Sequence, residues 1–134
     1  MPRGPPAESA PSFRFRREER LKRRDEIRGI FNRGKRVSCA GAKLFFLENG
    51  RAHNRIAFTF ARKYGNAVAR NRARRLGREA YRLMRGRLKR GFDLVLLVYP
   101  GEDSLAGRRD QLRVLCSKGG LLCPAAGLEK GSSR

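Results

Sequence analysis

Few side chains in this 134-residue chain could make or break a bond, and they do not gather. There is one histidine, His53, three cysteines, Cys39, Cys116 and Cys123, and 12 Asp and Glu against 33 Lys and Arg. Hydrolysis of a phosphodiester by protein groups calls for clustered carboxylates around metal ions, or for a His, Lys or Tyr acid-base set. Here the acids are scattered, many beside arginines, and His53 falls in what reads as a loop between strands. The cysteines are odd in number and form no C-x-x-C pair, so they read as free thiols rather than a disulfide framework or a zinc site. Asp93, just after Gly91-Phe92 at the start of a strand, reads as structural. No G-x-x-x-x-G-K-S/T loop or G-x-S-x-G elbow is present.

What the chain does concentrate is positive charge. The net charge is +21, and a small domain so charged repels itself unless a polyanion neutralises it. Residues 62 to 90 hold twelve Lys and Arg but one carboxylate, Glu79. Neighbours four apart, such as Arg70/Arg74, Arg74/Arg78 and Arg78/Arg82, therefore repel, and a solvated helix face stabilised by internal pairs does not account for them. A phosphate-binding surface does. Arginine suits RNA in particular, because its planar fork takes phosphate oxygens two at a time and stacks on exposed bases. A membrane offers the other common polyanion, but no apolar run approaches the roughly 18 residues that a bilayer span needs. The amino terminus, MPRGPPAESAPS, lacks the apolar core of a secretory signal. A cytoplasmic RNA-binding domain without catalytic machinery of its own is the expectation.

These residues need elements to position them. RLKRRDEIRGIFNRGKR places Leu21, Ile27, Ile30 and Phe31 near helical spacing and stops at Gly34, a natural C-terminal cap. AKLFFLE, 42 to 48, ends at the turn signal Asn49-Gly50; RIAFTFA, 55 to 61, alternates strictly, and the two read as adjacent strands. FDLVLLVYP, 92 to 100, is apolar throughout, as a strand covered on both faces would be. Between them Asn66 is a fair cap for a helix to about Arg85. At about 100° per residue, Ala69, Ala73, Leu76, Ala80 and Leu83 share one face, and Arg70, Arg74, Arg75, Arg78, Arg82 and Arg85 lie opposite. The first turn of that helix, behind Arg62-Lys63 and a Tyr64-Gly65 turn, presents unpaired backbone N–H groups to which phosphate is drawn. A last helix starting at Asp103 or Ser104 passes through Leu112 and Leu115 toward Lys118. The order describes a small α+β domain, an α/β sandwich, over 13 to 118, with a disordered tail at 1 to 12 and a flexible one at 119 to 134.

RIAFTFARKYGNAVARNRARRLGREAYR, 55 to 82, resembles the signature of the bacterial ribonuclease P protein subunit: a strand, a K-K/R-x-G-N-A-V turn, then R-N-R-x-K/R-R-x-x-R-E. KRGFDLVLLVYPG, 89 to 101, resembles its G-F-D strand, and RLKRRDEIRGIFNRGK its first helix. The resemblance implies a protein that joins a catalytic RNA and helps it remove the 5′ leader of precursor tRNA. The RNA would carry the chemistry, using Mg²⁺, with no catalytic residue on the protein and no tightly bound metal. It further implies a left-handed β-α-β crossover around the R-N-R helix and a chain that is monomeric outside the complex. Carried over by matching position, Arg70, Asn71, Arg72, Arg74, Arg75 and Arg78 form the RNA-facing strip, with Arg62 and Lys63 at the basic positions before the turn. The leader cleft between first helix and sheet takes Phe31, Phe46 and Thr59, with core packing as the competing reading, and Ile27 where the family usually has Phe. Gly77 stands where a larger apolar residue is common. A structural ribosomal protein or general RNA chaperone is the alternative function; it would share the charge without discriminating the leader.

Overall fold

The computed structural model describes residues 17–101 and 103–123. The expected tail at 1 to 12 lies outside them, as do residues 124 to 134 of the one expected at 119 to 134. After a single 3-10 turn at Arg17–Glu19 come α1 (Arg24–Arg33), β1 (Lys35–Cys39), β2 (Ala42–Glu48), β3 (Arg55–Phe60), α2 (Ala67–Met84), β4 (Phe92–Val98) and α3 (Leu105–Lys118).

The helices end where local chemistry ends them. Asn66 accepts a hydrogen bond from the Ala69 N–H at 2.9 Å, and Ser104 accepts one from the Gly107 N–H at 3.0 Å. Gly34 closes α1 through its own N–H to the Ile30 carbonyl at 2.8 Å. Leu21, expected on the first helix, precedes it: its N–H reaches the Ile56 carbonyl of β3 at 3.0 Å.

The four strands lie in the order β1-β2-β4-β3. Strands 42–48 and 55–60, read from sequence as adjacent, are therefore separated by β4, which pairs antiparallel with β2 and parallel with β3. The reason is burial. β4 is the most apolar strand and takes the centre, where both faces are covered; Leu94, Val95 and Leu96 are at most 2% exposed. The β2–β3 connection reaches across the end of β4 instead of turning tightly: the Asn49 N–H donates to the Gly91 carbonyl at 2.8 Å, and Asn54 accepts from the Phe92 N–H at 2.8 Å. β1 was not expected. Its only apolar residues are Val37 and Cys39, and it pairs with β2 at the sheet edge, where one side needs no partner.

Two cores flank the sheet. On one face Leu44, Phe46, Ile56, Phe58, Leu94 and Leu96 meet α2 and α3. On the other, Phe45, Ala57 and Val95 meet Ile30 of α1 and Leu21 in the segment before it. The buried side of α2 carries Ala73, Gly77, Ala80 and Tyr81, so the helix is rolled by about 60° from the face expected of it. Leu83 is left 43% exposed. Gly77 explains the roll: a Cβ there would meet the Phe58 ring at 2.6 Å, so the glycine lets the helix settle onto that ring. The domain also runs past the expected boundary at 118. Leu121 is 2% exposed, and Leu122 bridges to Leu88.

Polar contacts fix α1 to the sheet. Arg55 donates from Nε and Nη2 to Asp93 at 2.8 and 2.7 Å, and from Nη1 to Glu26 of α1 at 3.4 Å. Asp93, read as structural, has that role, with the Arg55 guanidinium pushed above its ordinary value chiefly by this hydrogen bond.

Candidate nucleic-acid interface

The arginine strip begins at a strained turn. The Tyr64 N–H closes Ala61–Tyr64 onto the Ala61 carbonyl at 3.1 Å, and Lys63 occupies the third position with φ 69°. A turn of this kind normally takes glycine there, and a side chain costs on the order of 1 kcal/mol. Arg62 and Lys63 are both exposed at its tip. Beyond it Gly65, at φ 148°, leads into the Asn66 cap.

Along α2 the roll of the helix divides the strip. Arg70, Asn71, Arg72 and Arg75 are exposed, whereas Arg74 and Arg78 are half-buried beside the sheet. Arg74 lies over the Phe60 ring, 5.3 Å from its centroid, and donates from Nη1 to the Asn71 side-chain Oδ1 at 2.9 Å. Arg82 and Arg85, also on the expected strip, are committed to carboxylates: Arg82 to Glu79 and Arg85 to Glu19. Desolvation first, then the nearby charges of Arg20 and Arg74, hold the Arg78 guanidinium below its ordinary value. Cations are packed there closely enough to disfavour one another's charge, which is the condition an incoming phosphate relieves.

The strip and the cleft meet. A groove of about 310 Å³ runs along the β3 edge, lined by Arg20, Lys22 and Ile27 on one side, Arg74 and Arg78 on the other, and Ile56, Ala57 and Phe58 beneath. Ile27 thus belongs to the same depression as the R-N-R helix. On the same sheet face Phe31 is half-buried against Phe45, ring centroids 4.6 Å apart and edge to face. Thr59 shares that face through its register with Leu97. Phe46 does not. It is 5% exposed and packs into the opposite core, its ring beside Phe92 at 6.2 Å, so the β2 phenylalanine on the α1 face is Phe45. The pair Phe45-Phe46 could not be separated from sequence, because β2 is buried on both faces and its alternation vanishes.

Sequence reasoning also missed Arg20 and Lys22, which line this groove. Arg20 and Lys22 sat in a segment read as helix, and only the pairing of Arg20 with Ile56 brings them to the β3 edge. Tyr99 follows β4, with Lys43 Nζ 5.8 Å from its ring centroid. His53 has the loop position expected, its Nε2 3.1 Å from the Glu18 carbonyl. Among the described residues no three His, Cys, Asp or Glu side chains gather as a metal site, and the cysteines are unbridged. No helix among them is long and apolar enough to cross a membrane.

Comparison with known proteins agrees with this geometry. The family model described as Ribonuclease P matches residues 15–118. The ribonuclease P protein component of Natranaerobius thermophilus is 40% identical over 85 residues, which cover 63% of this chain and 74% of the relative. The solved RNase P protein from Thermotoga maritima aligns with a TM-score of 0.66 at 29% identity, covering 75% of this chain and 96% of that one. At 19% identity the Staphylococcus aureus RNase P protein shares the fold, with a TM-score of 0.70 over 78% of this chain and 97% of that one.

Proposed function

This chain belongs to the ribonuclease P protein family, the protein component of the endoribonuclease that matures tRNA 5′ ends, and from that premise we propose how its surface serves the reaction. Arg62, Lys63, Arg70, Asn71, Arg72 and Arg75 face the catalytic RNA. Arg74 and Arg78 stand where that surface turns into the β3-edge groove. The 5′ leader of precursor tRNA then passes along the α1 face of the sheet, over Ile27, Phe31, Phe45 and Thr59. The observation that carries this reading is the single groove in which Ile27 of α1 and Arg74 and Arg78 of α2 converge.

The division of labour follows from the side chains. Guanidinium groups neutralise phosphates and tolerate any sequence. Half-buried aromatic and aliphatic surface lets leader bases stack at about 1 to 3 kcal/mol each, again without reading sequence, as an enzyme with many precursor substrates requires. Bond cleavage is left to the RNA, and the Mg²⁺ it uses is held by RNA phosphates; on the protein, Asp93 and Glu26 are engaged by Arg55. We place the complex in the cytoplasm.

The test is leader discrimination by the reconstituted holoenzyme. Phe31→Ala should weaken binding of leader-bearing pre-tRNA by about 5- to 150-fold, the equivalent of one stacked base, while mature tRNA binds as before. Equal affinities for the two tRNAs with wild-type protein would contradict the leader path. A Phe31→Ala effect confined to the melting temperature would return Phe31 to the core.

A further inference from the structure

We propose that Asp103 and Arg108, far from the R-N-R motif in sequence, are positioning residues for the RNA interface. Through Tyr64 they hold the Arg62-Lys63 turn, and through the Tyr64–Phe60 ring pair they support the Arg74 guanidinium. The inference rests on reading that face as the RNA surface.

The chain of contacts is continuous. The Tyr64 hydroxyl donates to Asp103 Oδ1 at 2.5 Å, and Arg108 Nη2 donates to the same oxygen at 2.5 Å. Arg108 is 3% exposed. Its Nη1 donates to Gln111 Oε1 at 2.5 Å, and Gln111 in turn donates to the Ala40 carbonyl in the β1–β2 turn at 3.0 Å. Arg108 Nε is the buried side-chain polar atom that lacks a partner among the described residues. Burying a guanidinium with one donor unmet is an expensive way to fasten a helix end, since apolar side chains of the same volume would pack there without that cost. What the arrangement supplies is a rigid acceptor for Tyr64 at the sheet's end.

Tyr64 needs one, because it follows directly on Lys63 at φ 69°. A non-glycine residue keeps that conformation only where its surroundings over-determine it. The Tyr64 ring also lies 4.8 Å from Phe60, and Phe60 is the ring beneath Arg74. Burial, then the bond to Asp103, pushes the phenol up to about 12, so Tyr64 stays a donor across the working pH range. Turn, helix strip and last helix are thereby locked in one relation.

Tyr64→Phe removes the hydroxyl and keeps the ring; Asp103→Asn weakens both of its contacts, and Asp103→Glu restores the charge. Binding of the full-length protein to the cognate ribonuclease P RNA is measured over a series of salt concentrations, with melting temperature alongside. Loss of one phosphate contact lowers the log–log slope by about 0.7 to 0.9. We expect that decrease for Tyr64→Phe and Asp103→Asn, and at least half of it recovered in Asp103→Glu. Slopes and affinities equal to wild type, with only the melting temperature lowered, would overturn the positioning role. If Arg70→Ala with Arg74→Ala also leaves the slope unchanged, the RNA-surface reading beneath it fails as well.

Discussion

Replacing Arg70 and Arg74 together with alanine lowers the affinity for RNA by on the order of 30-fold at about 0.1 M salt, taking about 1 kcal/mol per contact, and flattens its salt dependence. Each phosphate contact releases condensed counterions, so losing two reduces the log–log slope by about 1.4 to 1.8. The two side chains differ in what else they do. Arg70 is exposed on α2, and its loss should leave the fold untouched. Arg74 covers the Phe60 ring at 5.3 Å, so its removal also costs packing, and Arg70→Ala alone separates binding from stability. Fluorescence anisotropy across a salt series decides the matter; a double variant whose slope equals that of wild type would mean that the strip does not contact phosphate.

The second large effect is on stability. Asp93→Ala strips the sheet-end network of its acceptor: Arg55 loses the contacts at 2.8 and 2.7 Å and Asn49 the one at 2.9 Å. Arg55 keeps Glu26 at 3.4 Å, but its side chain is only 14% exposed, too little for water to replace what is lost. A buried cation left short of its partner costs about 3 kcal/mol or more, which in a domain of this size lowers the melting temperature by roughly 12 to 24 °C. The same substitution loosens α1, because Arg55, through which Glu26 reaches the sheet among the described residues, is no longer held in place by Asp93. Leader discrimination should therefore fall at temperatures where the fold is still intact. A melting temperature within about 3 °C of wild type would show that Asp93 is not the clamp.

Much of this was legible in the residues, for identifiable reasons. The α2 cap at Asn66, the apolar β4 and the α3 start after Ser104 are written in local chemistry, and the structure repeats them. The R-N-R run is legible because arginines four apart without carboxylates have no stable life except against a polyanion. What escaped was non-local. The insertion of β4 between β2 and β3 is decided by which strand can bury both faces, a contest among strands that none announces alone. β1 escaped because an edge strand needs only half a pattern. Phe46 was expected on the α1 face, where the structure has Phe45, because a strand buried on both sides gives no alternation, and the one-residue difference moves a side chain to the opposite core. The roll of α2 depended on a glycine's missing Cβ over Phe58, a packing fact invisible until both elements are in place.

In this division of labour the protein contributes binding and the RNA contributes chemistry. Cleavage of precursor tRNA at low Mg²⁺, with the cognate catalytic RNA and with or without the purified protein, tests it most directly. Release of the 5′ leader is expected only when both are present, and none from the protein alone. Cleavage by the protein alone would contradict it, and so would absence of stimulation despite tight, salt-sensitive RNA binding, the behaviour of a ribosomal protein or RNA chaperone.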